Sequence, residues 1–187
     1  MMRSAESILV AYDGSPASER ALKAAVRQTS TLSQGVIHVV SLVEPVGGRL
    51  LMPDGRLYER WAALDCLRLT VAELVRAWGN KAPGVSLAAH LRSGEPVITI
   101  LQLAEKLNVD LVLVGESDTA MHGELSPINR ELLRLSSRPV RVEVPAGHLP
   151  TNFGAISSRP LFSLRQTARG MKSALPTNHK TLPPSLQ

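Results

Sequence analysis

The chain has 187 residues, of which 44% are hydrophobic and 20% charged, and this composition fits one ordinary globular domain. Its single cysteine excludes an intrachain disulfide, and no apolar run approaches the roughly 20 residues that a membrane helix needs. The net charge of +5 comes from residues 148–187, which carry five basic residues and no acidic one, so residues 1–147 are formally neutral. We therefore expect no specific DNA binding by the domain and, since no targeting signal is visible, a cytoplasmic location.

Short apolar runs alternate with amphipathic stretches along the first three quarters of the chain. The runs are rich in Val, Ile and Leu, as expected of strands that are buried on both faces of a parallel sheet. In chain order the predicted strands are residues 7–13, 36–43, 85–91, 109–115 and 139–144. Two helices are predicted to begin where a serine N-cap precedes proline, at Ser15-Pro16 and Ser126-Pro127. A third is predicted to open at Gly94-Glu95-Pro96.

The remaining helix is predicted from apolar residues at spacings of three and four. Its stripe consists of Leu57, Trp61, Leu64, Leu67, Val71, Leu74 and Trp78. Gly79-Asn80 is expected to end this helix. The segment before it contains Pro45, Gly47-Gly48 and Pro53-Asp54-Gly55 and is predicted to be a loop.

This alternation of strands and helices predicts an α/β fold, with an open five-stranded, mostly parallel sheet and helices on both faces. The domain is expected to span residues 1–146. Residues 147–187 are rich in Pro, Ser and Thr and are predicted to form a disordered basic tail. Within residues 159–180, apolar residues recur every three or four positions, and Arg165, Arg169 and Lys172 cluster away from them. This pattern leaves open a short cationic helix that docks on an anionic partner.

Residues 5–145 resemble the universal stress protein family. The resemblance rests on the order and spacing of Ile8-Leu9-Val10-Ala11-Tyr12-Asp13-Gly14-Ser15, Ala21-Leu22, His38-Val39-Val40, Gly94-Glu95-Pro96, Val109-Asp110-Leu111-Val112-Leu113-Val114-Gly115 and Arg138-Pro139-Val140. It implies a Rossmann-like fold of the adenine-nucleotide-hydrolase type with strand order 3-2-1-4-5. It also implies a homodimer joined along the fifth strand.

The resemblance further implies a nucleotide site, since many members of that family bind ATP. Asp13 and a main-chain group of Val39 match positions that hold adenosine, and Gly115 and Ser126 match parts of the phosphate loop. The loop departs from the family pattern, because Asp118 stands where a second glycine is expected. Glu116 and Asp118 add negative charge where a polyphosphate would lie, and Pro127 removes one backbone donor.

We therefore expect a stress-response regulatory protein that acts as a homodimer and binds a protein partner, without chemistry of its own. The alternative is an ATP- or AMP-binding switch with at most weak ATPase activity. A purely structural interpretation is also open, in which Asp13 only forms the turn at Gly14 and Gly115 only ends its strand tightly.

The fifth predicted strand offers a self-complementary edge. Val140, Val142 and Val144 share one face, whereas Arg141 and Glu143 share the other. If two copies pair antiparallel about Val142, each Arg141 faces a Glu143 of the partner, which favours a dimer interface. The alternative is a solvated edge with ordinary alternation.

Other kinds of site lack a sequence signature. The spacing of His38, His90 and His122 matches no ligand motif, so no metal is expected. The chain contains no Gly-x-Ser-x-Gly elbow, no Walker loop and no Gly-x-Gly-x-x-Gly, so no catalytic residue is assigned.

Overall fold

The computed structural model describes residues 5–31, 34–78, 85–117 and 125–145, which all belong to one unit of the chain, Met1–Gly154. The strands are β1 (Ala5–Ala11), β2 (Gln34–Leu42), β3 (Glu44–Val46), β4 (Arg49–Leu51), β5 (Leu57–Tyr58), β6 (Val85–Arg92), β7 (Leu111–Gly115) and β8 (Val140–Glu143). The helices are α1 (Pro16–Thr29), α2 (Arg60–Ala77), α3 (Pro96–Lys106) and α4 (Pro127–Leu135).

The five long strands form one parallel sheet in the order β6-β2-β1-β7-β8. When only the strands of this sheet are numbered, the order is 3-2-1-4-5, so the fold class implied by the sequence is confirmed. The sheet grows in opposite directions on the two sides of β1. Such a switch opens a crevice beyond the carboxyl ends of the two central strands, β1 and β7.

Alternate residues of the central strand enter two separate apolar layers. Ile8 packs on one face with Leu22 of α1 and Leu67 of α2. Leu9 packs on the other face with side chains of α3 and α4, such as Val97 and Leu132. Because both faces are covered by helices, the strands are apolar on both sides, as the sequence predicted.

The predicted N-caps Ser15 and Ser126 are confirmed, and Glu95 caps the helix predicted to open at Gly94-Glu95-Pro96. The side chain of Ser15 accepts from the Ser18 N–H, that of Glu95 from two N–H groups of α3, and that of Ser126 from the Asn129 N–H. A proline follows each cap as the first helical residue, where its missing N–H is no loss. The start points of α1, α3 and α4 therefore follow from local sequence.

The predicted loop before α2 is wrong, because strands β3, β4 and β5 form a small antiparallel sheet there. Gly47 and Gly48, with φ of 56° and 81°, make a two-residue turn between β3 and β4. Turns of this hand match the twist of a hairpin and favour glycine at both positions. The Gly47-Gly48 pair in the sequence could have predicted this hairpin.

The predicted stripe of α2 is wrong at its first two members. Leu57 lies in β5, and α2 begins only at Arg60. Trp61 is 72% exposed, whereas Leu67 and Val71 are buried in the core. The periodicity therefore holds from Leu64 onward.

Several predictions fall outside the described residues. These are the helix end at Gly79-Asn80, the loop residues Asp118, His122 and Gly123, and the basic tail of residues 147–187. Among the described helices, none combines the length and apolar character needed to cross a bilayer.

Candidate functional site

A cavity of about 670 Å³ lies in the crevice at the carboxyl ends of β1 and β7. The first residues of α1, α3 and α4 border it, and its aliphatic wall consists of Ala11, Val40, Leu42, Ile100, Val114 and Leu132. A volume of this size accommodates a small organic ligand. Of the four residues predicted for a nucleotide site, Asp13, Gly115 and Ser126 line the cavity, whereas Val39 does not.

Asp13 supplies a negative charge at the mouth of this cavity. Its Oδ1 accepts a hydrogen bond from the Ser15 N–H at 2.9 Å, in the turn that leads into α1. Asp13 is exposed to solvent on one side only, and its partial burial favours the neutral acid, but hydrogen bonds led by those of Ser15 outweigh this effect and hold the pKa of Asp13 below its usual value. The carboxylate is exposed and ionised at neutral pH, so it can accept hydrogen bonds from a ligand's hydroxyl groups.

Gly115 allows the end of β7 to touch the start of α1. A Cβ at this position would overlap the main-chain carbonyl of Ala17, which cannot move without shifting the helix. The absence of a side chain therefore has a packing reason here, whatever ligand the cavity binds. This close approach also brings Ser15 and Gly115 to the same wall.

Glu116, which also lines the cavity, is a buried acid with only 3% of its surface exposed. Its Oε1 accepts from the Ser117 N–H at 3.0 Å, and its Oε2 accepts from the Ser126 N–H at 3.0 Å. The Asn129 side-chain amide donates to Oε2 at 2.8 Å. Sequence reasoning treated Glu116 only as a repulsive charge and missed this set of donors.

The N-terminus of α4 is held to the end of β7 by the same group of side chains. Asn129, which is buried, also donates to the Gly115 carbonyl at 3.0 Å. On the other side, the Arg20 guanidinium of α1 donates to the Glu116 carbonyl at 2.6 Å. The polar end of the cavity is thus fixed by both helices.

Val39, whose main chain is predicted to contact adenosine, does not line the cavity. Val39 is 1% exposed and packs in the layer beneath α1 and α2. The Val40 carbonyl accepts from the Tyr12 N–H, and the Val43 N–H donates to the Arg92 carbonyl, both at 2.8 Å. Because main-chain groups alternate along a strand, those of Val39 face β6. Those of Leu42, beyond the last β1–β2 pair, face the crevice.

The sequence profile of the universal stress protein family matches residues 5–142. The chain belongs to the universal stress protein family. Comparison with curated protein sequences gives no significant match.

Solved universal stress proteins share the fold of this one. A universal stress protein in complex with cAMP is 19% identical with a TM-score of 0.52, over 75% of this chain and 97% of that chain. UspA from Lactobacillus plantarum is 19% identical with a TM-score of 0.53, over 76% and 99%. The Archaeoglobus fulgidus protein in complex with dAMP is 19% identical with a TM-score of 0.50, over 73% and 96%.

In this universal stress protein, His38 of β2 and His90 of β6 form a pair that sequence spacing did not reveal. His38 Nδ1 and His90 Nε2 lie 3.0 Å apart, and the ring centroids are separated by 5.2 Å. The register places Ala88 beside His38, and this small residue leaves room for the second ring. Around the pair, the described residues contain no cluster of three metal-binding side chains.

Both imidazoles are neutral at pH 7. Burial lowers the pKa of His38 below its usual value. Burial first, then the His38 ring and the Arg92 guanidinium, lower the pKa of His90 to about 4. The pair is consequently a hydrogen bond between neutral rings, in which one nitrogen donates and the other accepts.

At the other edge of the sheet of this universal stress protein, β8 contains four of the five residues predicted for the dimer. Val140 is buried and Val142 packs beside it in the layer of α3 and α4. On the opposite face, Arg141 Nη2 lies 2.6 Å from Oε1 of Glu143 in its own strand, and Arg141 Nη1 donates to Gln28 at 2.9 Å. Val144 directly follows the strand. Arg141 and Glu143, which were predicted to pair across two copies, therefore already form an ion pair within a single chain.

Proposed function

We propose that this universal stress protein is a regulator whose cavity binds the adenosine moiety of a nucleoside or nucleotide. The observation that carries the proposal is the ionised, exposed Asp13 at the mouth of a cavity whose wall is largely aliphatic. The structures of similar fold in complex with cAMP and dAMP support the choice of an adenine ligand. The proposal involves no chemical step and no catalytic residue.

The residues of the cavity suit the parts of adenosine in a simple way. The Asp13 carboxylate accepts hydrogen bonds from the ribose hydroxyls, because an ionised acceptor binds neutral hydroxyls strongly. The aliphatic side chains at Val40 and Ile100 cover the faces of the base. The main-chain N–H and C=O of Leu42 offer one donor and one acceptor to the edge of the base.

Replacement of Asp13 by Asn tests this assignment. The variant keeps an amide oxygen for the Ser15 N–H but loses the charge, so adenosine and AMP should both bind about tenfold or more weakly in calorimetry. Asp65→Asn is the matched control, because Asp65 makes only an exposed ion pair with Arg68 on α2. Equal affinity of Asp13→Asn and wild type, or no binding of either ligand at millimolar concentration, would refute the proposal.

A second function, homodimerisation through β8, is favoured by the position of this strand at the edge of the sheet. An edge strand presents unpaired main-chain groups that a second copy can cover. In this proposal the dimer presents the two cavities to a protein partner. Its test is described in the Discussion.

A further inference from the structure

The donors that would bind an anion at the end of α4 are already bonded inside the protein. A helix N-terminus binds anions through its first free N–H groups, aided by the helix dipole. In α4 the Ser126 N–H donates to Glu116, Pro127 has no N–H, and the Asn129 N–H donates to the Ser126 hydroxyl. Most of the first turn is thus unavailable to a ligand.

The Glu116 carboxylate has the surroundings of a bound anion. Two backbone N–H groups and one side-chain amide converge on its two oxygens at 2.8–3.0 Å. It is almost fully buried and lines the same cavity as Asp13. Backbone donors of this kind would otherwise hold a phosphate group.

We propose that Glu116 is a built-in anion that occupies the phosphate position of the cavity, so that the preferred ligand is an adenine nucleoside without a phosphate at that end. This inference rests on the proposed function, because it assumes that the cavity binds adenosine. It assigns Glu116 as the residue that determines specificity.

A phosphate could reach these donors only by displacing the Glu116 carboxylate from them. The displaced Glu116 would remain in a buried environment without hydrogen bonds, which is unfavourable for an ion. If the carboxylate stayed in place, the phosphate would instead lie beside a like charge. Both arrangements penalise AMP and ATP relative to adenosine.

Wild-type titrations provide the first test. Calorimetry should show that adenosine binds at least as tightly as AMP and about tenfold or more tightly than ATP. Tighter binding of AMP or ATP than of adenosine would overturn this inference and leave the proposed function standing. Failure of all three ligands to bind would instead refute the proposed function, and this inference with it.

Glu116→Ala provides the second test, because it frees the donors of Ser117, Ser126 and Asn129. The affinity for AMP should rise about tenfold while that for adenosine changes less than about twofold, and inorganic phosphate should bind measurably. Glu131→Ala is the control, since it removes the same charge from an exposed ion pair on α4. An unchanged ratio of AMP to adenosine affinity in folded Glu116→Ala would overturn the inference. If this variant does not fold, the wild-type ranking decides.

Discussion

At the scale of single residues, the neutral pair of His38 and His90 links stability to pH. The pKa of His90 is about 4 in the folded protein and about 6.5 in an unfolded chain, so the unfolded state binds more protons between these values. Stability contributed by this group is complete above pH 6.5 and is lost as pH falls toward 4. Asp13, whose pKa is also lowered, contributes in the same direction but at a lower pH, near and below its usual value.

The prediction is that His90→Gln removes this part of the pH dependence. The shift of His90 sets an upper limit of about 3 kcal/mol, and partial solvent screening reduces the expected loss between pH 7 and pH 4 to about 1–2 kcal/mol. Urea unfolding of wild type and variant at a series of pH values measures the difference, in which the other titrating groups cancel. Parallel curves for the two proteins would show that the pair does not carry the effect.

At the scale of secondary-structure elements, the contact between β7 and α1 decides the shape of the cavity. Gly115 and the Ala17 carbonyl touch so closely that no side chain fits between them. Because Glu116 follows Gly115 directly and its carbonyl is bound by Arg20, a shift of β7 would also displace the polar end of the cavity.

Gly115→Ala should therefore destabilise the protein by about 1–3 kcal/mol, the usual cost of overpacking, and should also weaken ligand binding. Chemical denaturation measures the first effect and calorimetry the second. Leu69→Ala, which alters a side chain that is 65% exposed on α2, should change stability by less than about 0.5 kcal/mol. A Gly115→Ala variant as stable as wild type would show that the helix moves aside freely.

At the scale of the whole molecule, the proposed dimer depends on Arg141 and Glu143 of β8. In the single chain these side chains bond each other, so dimerisation must exchange two internal ion pairs for two between protomers. Such an exchange contributes little energy by itself. The pair would then mainly set the register of the two strands.

Glu143→Lys should weaken the dimer in sedimentation experiments, because it places like charges opposite each other across the two-fold axis. The charge-swapped double variant, Arg141→Glu with Glu143→Lys, restores both pairs and should recover most of the association. Association of Glu143→Lys at wild-type strength would contradict an interface at this edge.

The parts of the structure that could be predicted from the sequence are those determined by residues close together along the chain. Apolar runs and proline-bearing caps located every strand of the main sheet and the starts of three helices. The hairpin of β3 and β4 was missed although Gly47-Gly48 signals it. The His38–His90 pair depends on the register of two strands, which spacing along the chain does not specify.

The candidate site was predictable only in part, for a similar reason. The resemblance placed Asp13, Gly115 and Ser126 at the carboxyl end of the sheet, and all three line the cavity there. It did not specify which residue of β2 faces the crevice, because that depends on where the β1–β2 pairing ends. The role of Glu116 depends on three donors that converge only after α4 has packed against β7.

The most direct test of the whole account is a crystal structure of the wild-type protein grown with adenosine. We expect ribose hydroxyls about 2.6–3.2 Å from the Asp13 carboxylate, the base at Leu42, and Glu116 still bonded to the Ser126 N–H. Adenosine bound away from this cavity would contradict it. So would a nucleotide whose phosphate had replaced the Glu116 carboxylate at Ser126.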